Sequence, residues 1–204
     1  MSSESQQFHR RSIRLKDFSY SQPGDYFVTL CTYQFKCIFG SIADCEVHLS
    51  QYGEIASVQW QKLPERFQNI ICESVIIMPN HIHGIITIQN HDENAGSLTS
   101  INETRIEANN STITDIPKFS SHQIWQSGVR TREITLGDII GAYKSLVAKE
   151  CLELCKSHNQ RMGKLWQRNY YEKIIRNEKA YHKIIEYIHN NPLLWELDQF
   201  HQLS

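Results

Sequence analysis

The stretch ESVIIMPNHIHGIITIQN, residues 73–90, restricts this chain more than any other segment. Two short apolar runs, CESVIIM and HIHGIITI, are joined by Pro79-Asn80, a turn-forming pair that predicts a hairpin. Two imidazoles interrupt what is otherwise a buried strand. On a strand, positions i and i+2 share a face, roughly 6–7 Å apart at the backbone. His81 and His83 therefore project together while Ile82 faces the other way. Such a pair can share one metal ion without distorting the sheet. A hydrogen-bonded pair at a strand edge is the competing arrangement, and spacing alone leaves both open.

The rest of the chain supplies the other elements. DYFVTLCTYQFKCIFG (25–40) is rich in β-branched and aromatic residues and predicts a strand that can continue into a bent hairpin. SQYGEIASVQWQKLPERF (50–67) opens on a Ser cap and predicts a helix ending near Pro64, with Ile55, Val58 and Leu63 as its apolar stripe. TLGDIIGAYKSLVAKECLELCKSH (135–158) predicts an amphipathic helix through Ile139, Ile140, Tyr143, Val147 and Leu154. LWQRNYYEKIIR (165–176) predicts a strand, and NEKAYHKIIEYIHNNP (177–192) a helix capped by Asn177 and ended by Pro192. Strand, helix, hairpin, helix and strand in that order give the split βαβ pattern. The expected class is α+β: a ferredoxin-like antiparallel sheet with helices on one face and an additional C-terminal helix.

With 204 residues and a formal net charge of −1, one domain spanning residues 1–204 is expected. Its core would comprise about 10–90 and 134–197. Residues 91–133 are polar, rich in Ser, Thr and Asn and without apolar period, which predicts a mobile insertion. No run approaches the roughly 18 consecutive apolar residues of a membrane span. The N-terminus lacks an apolar signal core, so a cytoplasmic location is expected. Six cysteines form no CxxC pair. Cys151 and Cys155 lie one helical turn apart near His158, and packed thiols explain them better than a metal site lacking a fourth ligand.

The final helix extends the chemistry of the histidines. Tyr187 and Asn191 are four residues apart and share a helix face. The Asn191 amide oxygen would complete a mixed nitrogen and oxygen site suited to Mg²⁺ or Mn²⁺, although imidazole alone equally permits Zn²⁺. Its ordinary role would be a helix C-cap. Tyr187 beside a cation becomes a nucleophile toward a phosphodiester. Tyr170, Tyr171 and Tyr181 are rivals without an amide four positions later, and spacing alone also permits a core-facing tyrosine at 187.

The segments RRSIRLKDFSYSQPGDYFVTLCT, MPNHIHGIITI, LGDIIGAYKS and LWQRNYYEKIIRNEKAYHKIIEYIHNNP together resemble the REP-associated tyrosine transposases. These are single-tyrosine HUH (IS200-like) transposases, where HUH means His, hydrophobic, His. The resemblance covers residues 10–197 apart from the insertion. It implies a ferredoxin-like fold, metal binding by His81, His83 and Asn191, and Tyr187 as the nucleophile on the terminal helix. It also implies a metal-dependent endonuclease and strand transferase that cuts single-stranded or hairpin DNA with Mg²⁺ or Mn²⁺. The product would be a 5′-phosphotyrosine and a free 3′-OH. Related insertion-sequence transposases usually carry Gln four residues after the tyrosine and act as dimers exchanging helices. Asn191 matches the REP-associated branch, so a monomer or a homodimer is expected.

Weaker DNA-binding candidates are Arg10, Arg11 and Arg14 in a basic arm, Lys144 and Arg168 for phosphates, and Trp166 for stacking on a base. Two other classes remain in view. One is a non-catalytic nucleic-acid-binding regulator with the same fold, although RNA-recognition domains display aromatics where this sheet carries histidines. The other is a metal-assisted phosphodiesterase without a covalent step.

Overall fold

The computed structural model describes residues 21–90 and 133–201. The arm bearing Arg10, Arg11 and Arg14 and insertion residues 91–132 lie outside them.

Seven strands and four α-helices are formed by the described residues: β1 (Gly24–Cys31), β2 (Gly40–Ala43), β3 (Glu46–Leu49), α1 (Gln51–Gln61), α2 (Leu63–Arg66), β4 (Ile70–Ile71), β5 (Val75–Ile77), β6 (His81–Ile88), α3 (Leu136–Ser157), β7 (Tyr171–Ile175) and α4 (Glu178–Asn190). The main sheet runs β4-β6-β1-β7, with β5 continuing the β4 edge against β6, and every pairing is antiparallel. Counting β4 and β5 as one interrupted strand, this is the ferredoxin-like order expected from the sequence. Among the described residues no helix is long and apolar enough to cross a membrane.

Alternation along β6 divides the molecule. Ile82, Ile86 and Ile88 join Val28 and Leu30 of the main core, where α1 and α3 contribute Trp60, Ile139, Ile140, Tyr143 and Val147. The opposite face carries His81, His83 and Ile85, and there Ile85 and Ile175 pack on Ile184 and Ile188 of α4. Helix α4 therefore occupies the face that α1 and α3 leave open. Its seat is fixed further by the Tyr181 hydroxyl, which donates to the Glu73 carboxylate.

Local signals explain most boundaries. Ser50 accepts from Gly53 N–H at the start of α1, and Asn177 accepts from Ala180 N–H at the start of α4. Thr135 and Asp138 form a reciprocal capping box on α3. Cys151 and Cys155 are buried along α3, as packed thiols should be.

Two expectations change. The buried face of α1 is Gly53, Ala56, Gln59 and Trp60, whereas Val58 is exposed. The bend after β1 leads through a single 3-10 turn (Tyr33–Phe35) into a separate β2–β3 hairpin. Asp44 and Cys45 turn that hairpin with positive φ angles of 51° and 62°, a conformation that residues other than Gly adopt reluctantly.

Trp60 explains the glycine after the histidines. A Cβ built on Gly84 would lie 2.3 Å from Trp60 Cζ2, so the indole lies directly on the strand backbone. Gly84→Ala should destabilise the protein by about 1–3 kcal/mol through overpacking, read as a lower urea midpoint with an unchanged m-value.

Candidate active site

β6 begins at the two imidazoles. His81 and His83 are 0% and 2% exposed, and their ring centroids lie 4.5 Å apart. Register sets Cys31 opposite His81 and Thr29 opposite His83, so these β1 side chains share the histidine face.

Each ring is oriented through Nδ1. The Asn80 side-chain N–H donates to Phe200 O at 2.8 Å, which turns Oδ1 toward His81 Nδ1, also at 2.8 Å. An amide oxygen only accepts, so His81 carries its proton on Nδ1 and its Nε2 lone pair is bare. His83 Nδ1 lies 2.9 Å from Thr29 Oγ1, and its Nε2 lies 3.2 Å from the Tyr187 hydroxyl. The same tautomer satisfies both contacts, with the phenol donating to Nε2. Nδ1 anchoring that turns Nε2 toward the site is the usual preparation of histidine for metal binding.

Helix α4 brings the remaining groups. Tyr187 is half-exposed, with its ring 5.2 Å from His83 and edge-on to Phe27. Its hydroxyl, at 3.2 Å, meets the His83 imidazole. Asn191 caps α4 with its side chain buried, and its amide acts on the ionisation of both His81 and Tyr187. The geometry nevertheless falls short of a hydrogen bond at the two atoms that matter: among the described residues His81 Nε2 and Asn191 Oδ1 are buried without a partner. Buried polar atoms are nearly always satisfied. Two orphaned lone-pair donors within reach of each other fit a bound cation.

Asp198 is a third contributor that sequence reasoning missed. Its carboxylate and the two imidazoles offer ligand atoms within 4.8 Å of one another. It follows the 3-10 helix Pro192–Leu197 and accepts from Phe200 N–H at 2.6 Å. No periodicity or motif marks it in the sequence. The same segment covers the site, with Trp195 and Phe200 ring centroids 6.2 Å and 4.8 Å from His81.

The remaining candidates are placed as follows. Trp166 is buried against Phe39 and Tyr143, and its indole N–H donates to Lys144 O; this core position replaces the expected base-stacking ring. Lys144 Nζ donates to the carbonyls of Gln167 and Asn169, each at 3.0 Å, and burial lowers its pKa to about 8. It thus holds a loop rather than standing clear for a phosphate. Arg168 lines a surface cleft beside Tyr171.

Burial is the leading influence on the site's ionisation. It lowers His81 to about 4, opposed by Asp198 and Asn191, and lowers His83 well below the usual imidazole value with help from His81. Burial and then Asp198 raise the Tyr187 pKa, with Asn191 opposing. Both imidazoles are therefore neutral at neutral pH, and the phenol is protonated.

No family model matches the chain. An uncharacterized protein of Haemophilus influenzae (strain ATCC 51907 / DSM 11121 / KW20 / Rd) is 36% identical over 194 residues, covering 95% of this chain and 93% of that one. The chain belongs to the same family as that protein. Among solved structures, a REP-associated tyrosine transposase bound to a REP hairpin gives a TM-score of 0.49 at 14% identity, over 93% of this chain and 77% of that one. A candidate transposase from Deinococcus radiodurans R1 gives 0.43 at 12% identity, over 87% and 97%. At these scores neither likeness decides the fold, which rests on the strand order above.

The depressed imidazoles carry a pH signature. Unfolded histidine titrates near 6.5, and the folded values lie below it. The stability that neutral His81 and His83 contribute is complete above pH 6.5 and is lost as pH falls toward about 4. Thermal melts in EDTA should show the melting temperature falling across that window, and His81→Asn/His83→Asn should flatten the fall.

Proposed function

We propose that the chain is a metal-dependent single-strand DNA endonuclease and strand transferase of the transposase class, forming a 5′-phosphotyrosine through Tyr187. The observation that carries this reading is the Tyr187 hydroxyl 3.2 Å from His83 Nε2, beside the orphaned His81 Nε2 and Asn191 Oδ1. The motif resemblance to REP-associated tyrosine transposases supports it from the sequence side.

His81, His83 and Asn191 would hold a divalent cation, with Asp198 as a further oxygen ligand. Nitrogen and oxygen donors of this kind suit Mg²⁺ or Mn²⁺. When bound, such an ion polarises a phosphate oxygen and offsets the negative field of Asp198. The protein's own groups carry the rest. Thr29 and Asn80 hold the imidazoles by Nδ1, and α4 aims the phenol at the same point. Tyr187 Oη attacks phosphorus, a Tyr–O–P bond forms, and the bond from phosphorus to the 3′-oxygen breaks. The phenol gives up its proton, and the leaving 3′-oxygen gains one to become a free 3′-OH. Bond energy is kept in the phosphotyrosine, so a 3′-OH can later attack it and rejoin the strand without ATP.

The substrate expected is single-stranded or hairpin DNA. Incubation of the protein with labelled hairpin DNA and Mn²⁺ should give a covalent adduct resistant to denaturing electrophoresis. Tyr187→Phe should abolish the adduct while retaining DNA binding. Cleavage that survives Tyr187→Phe without an adduct would indicate a phosphodiesterase, and binding without cleavage a regulator.

A further inference from the structure

A cleft of about 390 Å³ opens beside the candidate active site, between the turn after β1 and the segment leading into β7. Its size falls within the range of about 300–1,000 Å³ typical of small-molecule sites. Its wall combines three kinds of side chain. Tyr33 and Tyr171 present aromatic rings, and Tyr171 is 45% exposed. Lys164 and Arg168 supply positive charge, with Lys164 Nζ 4.6 Å from the centre of the Tyr33 ring. Among the described residues neither cation is paired with a carboxylate. Asn169 adds an amide able to hydrogen-bond a base edge.

The cleft is a built feature. Lys144, half-buried beneath the loop, donates to the Gln167 and Asn169 carbonyls and fixes their course. Tyr33 N–H donates to Leu165 O at 2.8 Å, and Thr32 bridges to Trp166, so the two walls are tied together. Gln34 in the turn is left-handed, with φ 57°. The cleft also adjoins the chemistry. Tyr171 sits opposite Thr29, the residue that holds His83, and its ring lies 6.4 Å from Phe200, which covers the imidazoles.

An exposed ring, two cations with no carboxylate partner among the described residues and a hydrogen-bonding amide are the chemistry that receives one unpaired nucleotide. We infer that this cleft binds an unpaired nucleotide of the DNA strand next to the scissile phosphate, with its base on Tyr171 and its phosphates facing Lys164 and Arg168. The inference rests on the DNA reading of the site but not on the covalent step. A free nucleotide offers the same chemistry, so the test includes one.

Binding of a short fluorescent single-stranded DNA of mixed sequence is measured by anisotropy, in the Tyr187→Phe background so that no adduct forms. Tyr171→Ala should weaken binding about fivefold or more, whereas Tyr171→Phe, which keeps the ring, should bind as the parent does. Lys164→Ala/Arg168→Ala, a surface change without core packing, should reduce the slope of log affinity against log salt by about 1.4, or about 0.7 per phosphate contact. Unchanged affinity and slope in both sets would overturn the cleft assignment while leaving the Tyr187 chemistry intact. Full competition by a deoxynucleoside monophosphate at matched concentration would overturn the strand path in favour of a free ligand. Failure of the parent protein to bind single-stranded DNA would overturn this inference and the transposase reading together.

Discussion

Strand β6 must satisfy two surroundings at once, and the site depends on how it does so. Its even-numbered residues Ile82, Ile86 and Ile88 are fixed in the main core beneath α1 and α3. Because side chains alternate, the odd-numbered residues are turned to the other face with no freedom to choose. His81 and His83 thus lie against α4 as a consequence of core packing on the far side. A slip of one residue would put both imidazoles into the apolar core and three isoleucines toward Tyr187. Gly84 strengthens the constraint, since the Trp60 indole occupies the space where its Cβ would be.

The polar face is costly to build, and the structure shows where the cost is met and where it is not. His81 Nδ1, His83 Nδ1 and the Asn80 amide all find partners within 2.9 Å. His81 Nε2 and Asn191 Oδ1 do not. Leaving such atoms unsatisfied costs on the order of 1–3 kcal/mol each, and a purely structural role would select apolar residues of similar volume. The neutral imidazoles, the nearby carboxylate of Asp198 and the half-exposed phenol are the groups that the proposed cation site would use.

Much of this arrangement was legible before the structure. Period-two alternation in HIHGIITI located the strand and paired the histidines, and the four-residue spacing of Tyr187 and Asn191 placed both on one face of α4. The capping residues Ser50, Thr135 and Asn177 marked helix starts through short-range chemistry that a sequence carries directly. What escaped depends on tertiary approach. Asp198, Trp195 and Phe200 reach the site from an irregular segment with no period to read. In α1 the small residues Gly53 and Ala56 face inward because Phe39 and the sheet come close, which a hydrophobicity stripe through Val58 could not reveal. Alternating aromatic and basic residues make Trp166 a weak stacking candidate in the sequence, and its indole packs in the core between Phe39 and Tyr143.

The central claim is a convergence of lone pairs on one point beside the Tyr187 phenol. Anomalous diffraction from crystals soaked in Mn²⁺ tests it without reference to any activity. A single strong peak should lie within about 2.0–2.4 Å of the Nε2 atoms of His81 and His83 and of an oxygen of Asn191 or Asp198, and should vanish in His81→Asn. Manganese bound elsewhere while these atoms stay bare, or a peak that persists in that variant, would contradict the account.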